Sequence, residues 1–216
     1  MMVALVPPEP TRESFTMNQV IAKSAPANRS QAGPFDIDEK HNLDNSVDFG
    51  AIRVFPIEGV EIRLEVEEST QRVIAVTLEL EESTLQLQAF AAPKNEGVWN
   101  DVRSQLATSI ESQGGFAEER LGSFGAELFV KLPIIENGSN VGSRNARFIG
   151  VDGPRWFLRG LISGAAMTDP AAAARIESLY RATAVDRGAE PIPPRELLTL
   201  KVPEGVITPP RSAITQ

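Results

Sequence analysis

Three consecutive runs in the middle of this 216-residue chain carry an apolar residue at every second position, and no other feature limits the fold as sharply. Val60, Ile62, Leu64 and Val66 alternate with Glu61, Arg63, Glu65 and Glu67. A polar turn, Glu68 to Arg72, leads to Ile74, Val76, Leu78 and Leu80. After Glu81, Glu82 and Ser83 come Leu85, Leu87, Ala89 and Ala91, with Gln86 and Gln88 between them. A period of two puts the apolar set on one face of an extended strand and the polar set on the other. Three such strands joined by short polar turns predict an antiparallel meander with one dry face. Ile52 to Phe55 is a candidate preceding strand, limited by Pro56.

The period then lengthens. Trp99, Val102, Leu106 and Ile110 recur every three or four residues and Gly114-Gly115 supplies a C-terminal stop, which predicts an amphipathic helix over Val98 to Gln113. Ala117 to Leu121 and Ala126 to Leu132 read as a hairpin around Gly122-Ser123-Phe124-Gly125. Arg144 to Val151 and Trp156 to Ile162 read as another around Asp152-Gly153-Pro154. Asp169 caps and Pro170 opens a second helix, Ala171 to Arg181, and Thr183 to Asp186 is a candidate last strand. Hairpins grouped around two helices predict an α+β fold: a mostly antiparallel β-sheet of about seven strands flanked by two main helices. The element order is similar to that of photosystem subunit P and the Ran-binding Mog proteins, a likeness of order that brings no function with it.

Both ends have a different composition. Residues 1–49 carry scattered Pro, Ser, Asn and Asp without sustained apolar periodicity, with 4 basic against 7 acidic residues. They are expected to be mostly disordered, and Met17 is an alternative start. The single folded domain is expected over residues 50–187. Residues 188–216 hold Pro191, Pro193, Pro194, Pro203, Pro209 and Pro210, so they read as an extension, strapped onto the domain by Leu197, Leu198, Leu200 and Val202. The longest charge-free stretch, Ser83 to Pro93, has 11 residues, against the ~20 that a spanning helix needs. The apolar run Met1 to Val6 is cut short by Pro7 and Pro8 and lacks a basic flank, so it does not read as a secretory leader. A cytoplasmic location is expected, in keeping with the absence of cysteine.

Three stretches together carry a resemblance: Leu85-Gln86-Leu87-Gln88-Ala89-Phe90-Ala91-Ala92-Pro93, Arg147-Phe148-Ile149-Gly150-Val151-Asp152-Gly153-Pro154-Arg155-Trp156-Phe157-Leu158-Arg159-Gly160, and Asp169-Pro170-Ala171-Ala172. They resemble an actinobacterial family known only as a domain of unknown function, family 3710, from about Gly33 to Pro203. The resemblance implies a bacterial cytoplasm. It implies no activity, ligand, cofactor or catalytic residue.

The chemical inventory excludes more than it offers. There is no Cys and one His, His41, which removes thiol nucleophiles, Cys-based zinc sites and nearly every imidazole-dependent triad. No phosphate-cradling Gly-Lys-Ser/Thr loop or dinucleotide fingerprint is present. Asp36, Asp38, Lys40, Asn42 and Asp44 imitate a calcium loop, but His41 and Val47 stand where its Gly and bidentate Glu belong. A carboxylate enzyme would draw on Glu61, Glu65 or Glu67, yet all three fall on the predicted wet face, where nothing would raise a pKa.

What remains is a segregated charge pattern. Glu58 to Glu82 holds 8 acidic and 2 basic residues, with Glu61, Glu65, Glu67 and Glu68 forming a candidate acidic patch. Arg144 to Arg159 holds 4 basic and 1 acidic, with Arg144, Arg147, Arg155, Trp156, Phe157 and Arg159 as candidate partner-binding residues. Alternation would put Arg155, Phe157 and Arg159 on one face and Trp156, Leu158 and Gly160 on the other, and a ring between two guanidinium groups suits anion or ring recognition. The bland reading is that Trp156 fills the core while the arginines lay their stems on apolar surface. Gly150-Val151-Asp152-Gly153 is similar to the clamp of some RNA-binding loops, but it sits in a hairpin turn and the sequence pI is near 4.9, so nucleic acid is disfavoured. The sequence therefore reads as a non-enzymatic binding or adaptor protein whose partner is another protein, with self-association also compatible. The alternative is a carrier of a small hydrophobic ligand, with a pocket between the sheet and the first helix lined by Phe90, Trp99 and Leu106. An enzyme working through carboxylates or an oxygen-ligated metal stands behind both.

Overall fold

The computed structural model describes residues 21–40, 42–136 and 138–203. In chain order its elements are a short helix α1 (Arg29–Ala32), β1 (Phe35–Asp36), a 3-10 turn (Ile37–Glu39), β2 (Val47–Asp48), β3 (Ile52–Val54), β4 (Val60–Val66), β5 (Val73–Leu80) and β6 (Ser83–Ala91). There follow α2 (Trp99–Ser112), β7 (Phe116–Gly122), β8 (Gly125–Glu136), β9 (Ser139–Asp152), β10 (Trp156–Gly164), a second 3-10 turn (Ala165–Met167), α3 (Pro170–Ala182) and β11 (Ala184–Val185). The fold is α+β, with seven strands in one antiparallel sheet, as the alternation predicts.

The sheet order is β4-β5-β6-β10-β9-β8-β7. The meander β4 to β6 and the group β7 to β9 are therefore two blocks, and β10 closes the gap by pairing β6 on one side and β9 on the other. Registers across the sheet place Arg63, Thr77, Gln86, Leu161, Phe148, Leu128 and Glu119 in one row on one face. That row is polar over β4 to β6 and apolar over β10 to β8. The apolar half is where α2 lies: Trp99 and Ile110 pack against Leu128, Val130, Ala146, Phe148 and Phe157. Gly150 is part of this fit, since a Cβ there would stand 2.4 Å from the Trp99 ring.

The opposite face is apolar over β5, β6 and β10, from Leu78 and Leu87 through Trp156 and Leu158 to Ile149 of β9, and it meets Ile176, Leu179 and Tyr180 of α3. Towards β8 and β7 it turns polar, with Arg147, Glu127, Arg120 and Glu118. Asp169 caps α3 by accepting from the Ala171 N–H at 2.9 Å. Tyr180 is fully buried and donates to the Leu158 carbonyl at 2.8 Å. Trp156 and Phe157 are both buried, on opposite faces, because the sheet centre is covered on both sides. The alternation rule assumed one wet face there, and that assumption is the error for Phe157.

Two differences concern the ends. Ile52–Val54 does not extend the meander; it joins a separate small sheet of order β1-β11-β3-β2. Residues from 21 to 49 pack on the body well ahead of the expected boundary at 50. Phe49 is 2% exposed, the Trp156 indole donates to Asp36 at 2.7 Å, and the Gly97 N–H donates to the Ile21 carbonyl at 2.7 Å. At the other end Leu198 and Leu200 are buried, and bridges join Leu200 to Gly50 and Leu197 to Phe90. The expectations for residues 1–20, Met17 among them, for His41 and for residues 204–216 lie outside the described residues.

Candidate functional site

The six basic-hairpin residues do not form one surface. Arg144 is exposed on the far part of the β8–β9 hairpin, and Arg155 is exposed in the turn before β10. Trp156 and Phe157 are core. Arg147 points to the α3 side, 8% exposed, bridging Glu127 at 3.1 Å and Glu177 at 2.7 Å. Glu127 is fully buried, and burial pushes its carboxyl above the ordinary value, opposed by the Arg147 charge and the Phe124 N–H. A Cβ on Gly122 would stand 2.3 Å from that carboxyl, so the neighbouring turn leaves room for the ion pair.

Arg159 is different. It lies on the α2 side at the seam where the apolar half of the face gives way to the polar half, level with Gln88 of β6 and Gly150 of β9. Its guanidinium sits 5.4 Å from the Phe90 ring centre and 5.8 Å from that of Phe148, within cation–π range of both. It donates to the Gln88 side-chain carbonyl. Burial pulls its pKa below the ordinary arginine value, and no carboxylate among the described residues raises it again. Elsewhere on this face Arg63 bridges Glu79 at 2.8 Å and Glu61 at 3.6 Å, and Glu65 accepts from the neutral groups of Thr77 at 2.8 Å and Gln86 at 2.6 Å. Thr84 and Ser163 are hydrogen-bonded at 2.6 Å. Arg159 is thus a half-desolvated cation held between two rings and opening onto the part of the sheet that α2 leaves bare.

The acidic residues split in the same way. Glu61 and Glu65 share this face, whereas Glu67 and Glu68 belong to the turn beyond β4, where Glu67 accepts from the Thr70 hydroxyl at 2.5 Å. Phe157 occupies the space between Phe90 and Trp99, with ring centres 5.8 and 5.7 Å apart, and Leu106 packs against the same cluster.

Sequence reasoning missed two features. Asp152, 2% exposed, accepts from the backbone N–H groups of Ser24 at 2.9 Å, Val98 at 2.9 Å and Trp99 at 3.4 Å, so a turn residue caps α2 and fastens the N-terminal segment. Burial pushes its carboxyl up while the three donors pull it down, and the net displacement is upward. The sequence marks Asp152 only as a turn former, and no spacing signals its distant donors. The second is a surface cleft of about 570 Å³, bounded by Asp36 to Glu39, Pro154, Arg155 and Asp186 to Ala189. No three His, Cys, Asp or Glu side chains gather as a metal site among the described residues. No helix among them is long and apolar enough to cross a membrane.

A family model described as a protein of unknown function, DUF3710, matches residues 33–208. The chain belongs to the DUF3710 family. The matched span takes in both sheets, α2, α3, Arg159 and its ring neighbours, and the C-terminal strap of this DUF3710 protein. No curated protein matches it. Among solved structures it is similar to a cyanobacterial PsbP from Synechocystis sp. PCC 6803, at 11% identity and a TM-score of 0.38, over 62% of this chain and 86% of that one.

Proposed function

We propose that this DUF3710 protein is a non-enzymatic binding domain that engages another protein through the bare half of the α2-side sheet face, with Arg159 receiving an acidic group of the partner. The observation that carries the reading is Arg159 itself. A guanidinium that has lost much of its water, lies between Phe90 and Phe148 and has Gln88 in place of a carboxylate is preorganised for an incoming anion. The surrounding Gln86, Thr84 and Ser163 offer neutral hydrogen-bonding groups, and Arg63 is already bridged to Glu79 and Glu61, so Arg159 is the cation on this face that an incoming carboxylate would meet. The cytoplasmic setting is part of the proposal; the cysteine-free sequence supports it.

The test is affinity capture at native expression level with a photo-cross-linking residue in place of Gln86, comparing the otherwise unchanged protein with Arg159→Met. Met keeps an unbranched stem between the rings while removing the charge. Cross-linked partners should be recovered with Arg159 and lost with Arg159→Met. The same partners in the same yield from both proteins would refute the reading.

A further inference from the structure

At one end of the sheet β7, among the described residues, has a strand neighbour on one side only. Edge strands are usually blunted by bulges, prolines or a covering segment. The opposite edge, β4, is treated in that way, with its register broken between Glu65 and Val66. By contrast β7 pairs with β8 over all seven residues without a shift, from Phe116 opposite Lys131 to Gly122 opposite Gly125, and contains no proline. It also exposes two large apolar side chains, Phe116 at 59% and Leu121 at 89%. Glu118 and Arg120 project on one face, bridged at 2.6 Å, while Ala117 and Glu119 project towards α2.

We propose that β7 is a self-pairing edge and that its occupant is β7 of a second copy of this chain, joining two sheets across a twofold axis. The axis of such an isologous antiparallel pair stands perpendicular to the sheet and passes through one residue and its own copy. Centring on Glu118 would set Glu118 against itself, and centring on Arg120 would set Arg120 against itself. Centring on Glu119 engages all seven residues. It then places Glu118 opposite the partner's Arg120 and Arg120 opposite the partner's Glu118, while Leu121 lies over Ala117 and Phe116 over the bare Gly122. The meeting of the two Glu119 residues is tempered because each is held by its own Arg103, 2.7 Å from the guanidinium Nε. The charges that would repel an arbitrary strand thus match in this one register. The inference stands independently of the partner-binding reading, which uses another part of the sheet.

Sedimentation velocity on the full chain over a wide concentration range should show the 23.4 kDa species giving way to one of twice that mass. Glu118→Arg and Arg120→Glu, each at an exposed position with circular dichroism unchanged, should each remain monomeric, since each sets like charges opposite one another twice. An equimolar mixture of the two variants should regain the dimer, as a heterodimer with both cross-pairs restored, readable by native mass spectrometry. A monomeric unsubstituted chain at every concentration, a dimer indifferent to both substitutions, or a mixture that stays monomeric would each overturn the proposal.

Discussion

Replacing Arg147 by Met would turn the interior of the α3 side into a pH sensor. Arg147 is 8% exposed and is the counter-ion of Glu127, which is 0% exposed, as well as of Glu177. Removing one partner of a buried ion pair leaves the other uncompensated, at a cost of about 3–5 kcal/mol. Glu127 already lies above its ordinary carboxyl value through burial, and the Arg147 charge opposes that displacement. Without Arg147 the folded-state pKa rises further, so the neutral acid becomes the stable buried form. A group whose folded pKa is raised contributes most below its unfolded pKa, here close to the ordinary 4.5, and that contribution is lost as pH rises through the folded value. The cost of Arg147→Met should therefore be small in mild acid and grow with pH, by at most about 1.4 kcal/mol per pH unit while the single proton is lost. Urea denaturation of both proteins across the range from mild acid to slightly above neutral would measure it, read as the difference in midpoint at constant slope. A difference that does not vary with pH would refute the assignment of Glu127 as the titrating group. Adding Glu127→Gln to Arg147→Met should flatten the profile.

Three further outcomes follow from the packing. Asp152→Ala strands the Ser24 and Val98 N–H groups and weakens the start of α2, so about 3 kcal/mol should be lost, a fall of roughly 6–12 °C in Tm by differential scanning calorimetry, with Asp152→Asn intermediate. Gly150→Ala drives a methyl group to 2.4 Å from the Trp99 ring and 2.8 Å from that of Phe157, and should cost about 1–3 kcal/mol in chemical denaturation with a perturbed tryptophan emission. Burial acts to raise the Glu39 pKa, but the Arg29 pair and the Asp36 N–H more than offset this and hold it below its ordinary value. Its contribution is therefore present above about pH 4.5 and lost as pH falls through the lowered value, and the deficit of Glu39→Gln, about 1 kcal/mol near neutrality, should vanish in acid urea titrations.

How much of this was legible in the sequence depends on the range of the forces involved. Val60 to Ala91 declares its strands because alternation is a local pattern, and Trp99, Val102, Leu106 and Ile110 declare a helix for the same reason. Phe35, Val47 and Phe49 stand singly among polar residues, so the burial of Phe49 and the partial burial of the other two arise from contacts with distant strands and leave no periodic trace. The arginines between 144 and 159 look alike in composition, but which is buried depends on what covers each face. Arg147 faces Glu177 of α3, and Arg159 faces the bare half beside Phe90. The sequence puts Phe157 between Arg155 and Arg159; the register instead buries Phe157 and sets Arg159 beside Phe90 and Phe148, from the two neighbouring strands, which no local spacing signals.

The position of β10 has a consequence for the order in which the chain can acquire its structure. The strand that holds the two halves of the sheet together is the last of the seven to be synthesised, so β6 and β9 each present an open edge until residue 164 has been made. Before that, the nascent chain can hold only two separate curls of sheet, each a template for another chain. Joining them requires contacts between segments far apart in sequence, which sets a slow final step. Release of a chain truncated before Trp156 should therefore give aggregates in place of a smaller folded domain. The apparent robustness of a core covered on both faces thus rests on one late strand arriving while its two neighbours wait.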